Sequence, residues 1–102
     1  MSLDKPVFTI SVAANLLGLH RRTLMLYEKN GFLKPHRTST NRRLYSQNDL
    51  KDLQFVKYLT TSIGLNIEGV KLVLRSIEKL EDKGIDYQKT LFPDFKAKRL
   101  LG

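Results

Sequence analysis

Helix-ending signals cut this chain into pieces too short for most folds. Gly18, Asn30-Gly31, Gly64 and Gly84 each follow a run of helically spaced apolar residues, and a glycine at such a place favours the left-handed turn that stops a helix. The first run has Val12, Ala13, Leu16 and Leu17 on its core face, with Thr9 or Ser11 as its cap. The second spans about Arg21 to Lys29, with Leu24 and Tyr27 at helical spacing. Ala13 and Ala14 are small enough to let a neighbouring helix approach closely. Two short helices meeting at a glycine turn in this way read as a helix-turn-helix.

Phe32 to Ser46 breaks the helical period with Pro35 and the turn-forming TSTN, then continues as Arg42-Arg43-Leu44-Tyr45. This reads as a two-stranded hairpin, a wing with its tip near Ser39 to Asn41. Ser46 followed by Asp49 has the spacing of a capping box, in which the hydroxyl accepts from the acid's amide while the carboxylate reaches back. A third helix therefore starts there, with Leu50, Leu53, Val56, Leu59 and Ile63 on one stripe and Phe55 at its margin. Asn66 caps a fourth, whose Ile67, Val70, Leu74 and Ile77 suit a core or a dimer seam equally. Beyond Lys83 come Tyr87, Leu91, Phe92, Phe95, Leu100 and Leu101 without a clean period. A tail this apolar covers either its own core or a partner subunit. The expected architecture is mostly α: a winged helix-turn-helix with a two-stranded wing and two further helices over residues 1–83, and a short apolar C-terminal tail over residues 84–102, for dimerisation or regulation.

Charge gives the fold a direction. Residues 1–46 hold eight Lys or Arg against two acids, residues 47–83 hold six of each, and residues 84–102 hold four against two. A solvated surface would spread the excess; concentrating it in the winged half favours a polyanion-facing side, with nucleic acid the commonest such partner. There is no cysteine, so disulfides, thiolate metal sites and thiol redox chemistry are excluded. The two histidines, His20 and His36, fall on the second helix and the wing, where DNA contact or exposure is a simpler role than metal ligation. Neither a metal nor another cofactor is expected. Asp49, Asp52 and Glu28 read as caps and surface pairs, and there is no Ser-His-Asp set or Gly-rich phosphate loop, so no enzyme is expected. The chain lacks an apolar run of the roughly 20 residues that a membrane helix needs and a signal-peptide layout. It should be cytoplasmic, associated with the nucleoid, and make no membrane contact.

In a helix-turn-helix the second helix enters the major groove and a wing grips the flanking backbone or minor groove. His20, Arg21 and Arg22 lie at the start of that helix, where a guanidinium can fork onto guanine. Arg42 and Arg43 face opposite sides if they lie on a strand. One can reach phosphate while the other packs its stem and pairs with an acid, with Glu28 a candidate. Arg37 is a further wing cation in the DNA-binding set.

The order ISVAANLLGLHRRTLMLYEKNGFLKPHRTSTNRRLYSQNDLKDL resembles the DNA-binding domain of the MerR family, and GLNIEGVK extends the likeness into the short branch that includes the glutamine-synthetase and heat-shock repressors. The resemblance covers about Phe8 to Leu74. It implies a homodimer on an inverted-repeat operator, acting as a transcriptional regulator and most simply a repressor. It also implies that Arg22 faces bases, that Tyr27 matches the tyrosine before the family glutamate, and that Arg43 is the wing arginine, with Arg42 matching the paired form of that branch. Met25 and Leu26 depart from the family pattern, which puts some backbone or base contacts in question. With no large C-terminal domain to enclose a ligand, any regulation would run through the tail and a protein partner. An excisionase-like architectural factor, binding as a monomer in head-to-tail arrays, is the alternative reading.

Overall fold

A computed structural model describes residues 2–98 and 100, with Tyr87 included for its backbone. Two compact units divide the described residues, one built from residues 2–54 together with Lys98 and Leu100, the other from Phe55–Ala97.

The first unit opens with β1 (Phe8–Thr9) and α1 (Ile10–Leu17). Thr9, in extended conformation, accepts a hydrogen bond from the Val12 amide at 3.3 Å, satisfying one of the orphan amides of a helix start. Gly18 ends α1 at φ 67°, ψ 34°, a left-handed conformation that a side chain would strain. The buried face of α1 is Ile10, Ala13, Ala14 and Leu17. Val12, expected in the core, is 41% exposed; Ile10 takes its place because the helix, capped by Thr9, begins at Ile10, which lies about a turn before Ala13 and Ala14. α2 (Arg21–Lys29) packs beside α1 and buries Leu24 and Tyr27. It ends at Asn30, with Gly31 at φ 77°.

The wing consists of β2 (His36–Arg37) and β3 (Arg43–Tyr45), antiparallel, with His36 opposite Leu44 and Arg37 opposite Arg43. Its tip closes through Thr38 N–H to Arg42 C=O at 3.0 Å and Asn41 N–H to Thr38 C=O at 2.9 Å, with Asn41 in the left-handed region at φ 63°. The sheet has three strands, not the two expected. β1 pairs with the other edge of β3, Phe8 opposite Tyr45 and Thr9 opposite Leu44, giving the order β1-β3-β2. Two residues are too few to show alternation, so this strand exists because β3 offers it an edge.

Ser46 and Asp49 form the expected capping box: the Asp49 amide donates to Ser46 Oγ at 3.0 Å, and the Ser46 amide to Asp49 Oδ2 at 2.8 Å. From there α3 runs over Gln47–Thr61. Its first part buries Leu50 and Leu53. Gln54 takes the tail backbone at Lys98 in both directions, accepting its amide at 2.8 Å and donating to its carbonyl at 2.6 Å.

In the second unit, α3 contributes the buried Phe55, Val56 and Leu59. Phe55 therefore belongs to the core and not to its margin, while Ile63, placed on the stripe by spacing, lies past the helix end and is 46% exposed. Asn66 caps α4 (Ile67–Glu81), accepting from the Gly69 amide at 2.8 Å, and Val70 and Ile77 are its buried residues. The tail forms a short α5 (Tyr87–Leu91) beside α4. After it, Phe92 and Phe95 turn their rings onto Phe55 and Tyr58, with centroids 5.1–6.2 Å apart, the tilted and edge-on geometry that aromatic pairs prefer. These tail residues thus cover the aromatic side of α3 in their own chain. Leu101 and the Tyr87 side chain, named with them in the apolar tail, lie outside the described residues.

Candidate nucleic-acid interface

α2 turns its buried pair, Leu24 and Tyr27, inward and presents Arg21, Arg22, Met25, Leu26 and Lys29 to solvent. His20 sits at the N-cap with extended backbone and makes no side-chain capping hydrogen bond, so its imidazole is not engaged by the helix it precedes. The first turn contains no acidic residue; the partial positive charge of the helix start is left without a local anion. Backbone amides, guanidinium groups and the helix dipole at this end all favour negative charge.

The wing stands beside this helix, and one carboxylate ties the two together. Glu28 Oε1 accepts from Arg37 Nη2 at 2.9 Å, and Glu28 Oε2 accepts from Arg43 Nε at 2.7 Å. Arg37 also donates through Nη1 to the Asn41 carbonyl at 3.2 Å, so it braces the wing tip as well. The choice left open between Arg42 and Arg43 goes to Arg43, whose side chain is 28% exposed and pairs with Glu28. Arg42 is exposed. That Arg37 shares the same carboxylate was not foreseen; Arg37 and Arg43 face each other in the β2–β3 register, but nothing in the residue order announces that register.

His20, Arg22, Met25, Leu26, Lys29 and Arg43 line an open concavity of about 780 Å³ between helix and wing. Arg21, Arg22 and Arg42 are exposed and make no ion pair among the described residues. Tyr27 differs from the other candidates: it is 3% exposed and packs beside Phe32, centroids 5.9 Å apart, so its ring serves the core. Behind the interface, Tyr45 is fully buried, and its hydroxyl has no hydrogen-bond partner among the described residues. Burial pushes this phenol above its usual range, and the Glu28 carboxylate pushes the same way, against smaller opposing effects from Arg43 and Arg37.

Comparison with known proteins bears on this geometry. The sequence profile described as MerR HTH family regulatory protein matches residues 8–77. A protein of Streptomyces coelicolor named putative heat shock protein HspR is 42% identical over 71 residues, 70% of this chain and 47% of that protein. The HTH-type transcriptional regulator GlnR of Bacillus anthracis is 41% identical over 69 residues, 68% of this chain and 53% of that one. The chain thus spans about half the length of the curated relatives it matches. Among solved structures, HiNmlR, described as a MerR family regulator lacking the sensor domain and bound to promoter DNA, superposes with a TM-score of 0.70 at 25% identity, covering 85% of this chain and 65% of its own.

Proposed function

The chain belongs to the MerR HTH family of regulatory proteins, and on that footing we propose that it binds double-stranded DNA as a homodimeric transcriptional regulator, most simply a repressor at an inverted-repeat operator. The observation that carries this reading is the division of labour among the arginines. Glu28 holds Arg37 and Arg43, which stiffens the wing against α2; Arg21, Arg22 and Arg42 stay exposed around the same concave face. In this reading α2 enters the major groove, Arg22 and His20 meet base edges, and Arg42 meets a phosphate of the flanking backbone. That a structural relative is described as bound to promoter DNA supports DNA as the ligand.

Two copies reading two half-sites gain affinity through effective concentration without any new contact. The exposed Ile63, Leu72, Ile85 and Leu91 of the second unit supply apolar surface of the kind a symmetric pair buries. The tail serves that pair by completing the unit that carries the surface, and it is the segment through which a regulatory protein partner would act. The role requires neither catalysis nor a cofactor. No helix among the described residues is long and apolar enough to cross a membrane.

Fluorescence anisotropy on duplex DNA across a salt series tests the reading. Neutralised phosphates release counterions, so log K should fall with log salt by about 0.9 per phosphate contacted; a flat line refutes nucleic-acid binding. Selection from random duplexes then tests the symmetry. A palindromic winner is expected, whereas a single half-site bound in head-to-tail arrays would favour the architectural alternative.

A further inference from the structure

The solvent face of α2 holds two apolar side chains between two cations. Arg22, Met25, Leu26 and Lys29 stand at i, i+3, i+4 and i+7, the spacing that gathers residues on one face of a helix. That face lies opposite the buried Leu24 and Tyr27, and Met25 and Leu26 are each 44% exposed. All four side chains line the concavity between α2 and the wing. Leucine has no polar atom and methionine only a weak acceptor, so neither can read a base edge by hydrogen bonding.

In the major groove the base edges present donors and acceptors throughout, with one apolar exception, the 5-methyl group of thymine. Pressing Met25 or Leu26 onto an unpaired donor or acceptor would dehydrate a polar group without replacing its hydrogen bond. Pressing them onto a methyl group takes apolar surface out of water on both sides. We propose that Met25 and Leu26 are specificity-determining residues that select thymine in each half-site through its 5-methyl group, a proposal that rests on the DNA-binding reading above. The flanking Arg22 and Lys29 fit a polyanion on this face better than they fit an apolar protein surface, which is the competing occupant.

The test uses the full chain and the duplex selected from the random pool, with deoxyuridine placed in turn at each thymine. This removes one methyl group and alters no hydrogen bond, and it does not depend on how any variant folds. At one or two positions per half-site the affinity should fall about fourfold, the equivalent of losing one buried methyl group. The same replacement should have no effect in Met25→Ala or Leu26→Ala, whichever residue meets that base, because the contact is already gone. Equal affinity for thymine and uracil at every position overturns the proposal while leaving duplex binding intact. So does a penalty that persists undiminished in both alanine variants. Alanine variants that bind every duplex like the parent, yet lose a protein partner, would assign the apolar pair to that partner instead. If no duplex is bound above background, the DNA-binding reading itself fails, and this proposal with it.

Discussion

Replacing Glu28 with glutamine should uncouple the wing from α2, and the structure sets how much that costs. Each carboxylate oxygen serves a different arginine, at 2.9 Å for Arg37 and 2.7 Å for Arg43. Arg43 is 28% exposed and Glu28 20%, so this charge-assisted bond is only partly sheltered and falls below the roughly 1.5–3 kcal/mol of hydrogen bonds to charged groups, at about 1 kcal/mol. Arg37 is 38% exposed, and solvent screening reduces its pair to about 0.5 kcal/mol. Glutamine keeps one acceptor oxygen but turns an amide N–H toward the second guanidinium, so donor faces donor. The expected loss is about 1.5 kcal/mol, which for a domain of this size lowers Tm by roughly 6–12 °C. Chemical denaturation of Glu28→Gln, Arg43→Ala and the double variant supplies the decisive comparison: the double should be less destabilised than the sum of the singles by at least about 0.5 kcal/mol. Operator binding should weaken more than binding to random duplex, because the wing loses its register while the protein gains positive charge. A Glu28→Gln protein as stable as the parent, or strictly additive variants, would refute the idea that this carboxylate holds the wing.

Arg22→Ala should lose about 1–3 kcal/mol of discrimination between operator and random DNA, whereas Arg42→Ala should weaken both equally and reduce the salt slope by about 0.9; parallel losses in both variants would void that assignment. Tyr45→Phe removes a buried hydroxyl that has no partner, so stability near neutral pH should be unchanged or higher. The Tyr45 phenol is raised above its ordinary 10.0 by burial and by Glu28, so the folded state holds the proton more tightly than the unfolded state. Stability should therefore decline as pH rises through the unfolded value near 10, and the decline should be shallower in Tyr45→Phe when unfolding is followed across alkaline pH. A chain ending at Lys83 lacks the Phe92 and Phe95 rings that cover Phe55 and Tyr58. Sedimentation should find the full chain dimeric and the shortened one monomeric, with weaker operator binding; a shortened chain that still dimerises and binds unchanged removes the tail from the mechanism.

Features governed by a few neighbouring residues could be read directly from the sequence. Ser46 with Asp49 before α3 and Asn66 before α4 cap as their spacing predicts, and of the two candidates for α1, Thr9 and Ser11, Thr9 is the cap, because a cap is closed by a side chain and an amide three residues apart. Gly18 and the limits of α2 follow from the same short-range logic. Burial was legible where the period was strong, at Leu24, Tyr27, Leu50, Leu53, Val56 and Leu59, and failed at helix ends, where Val12 and Ile63 keep the spacing but lose the neighbours. The cluster of positive charge in the first half was countable; which arginines stay exposed was not. That choice depends on β2–β3 register bringing Arg37 and Arg43 to one carboxylate on α2, a meeting of residues nine and fifteen positions from Glu28. The third strand and the direction in which the tail folds have the same cause. Phe8–Thr9 becomes a strand because β3 has a free edge, and Phe92 and Phe95 turn back because Phe55 and Tyr58 offer an apolar surface that chain order does not reveal. Local hydrogen bonds and periodicity are written in adjacent residues; pairing across the chain is chosen by whichever edge, charge or apolar face tertiary packing brings within reach.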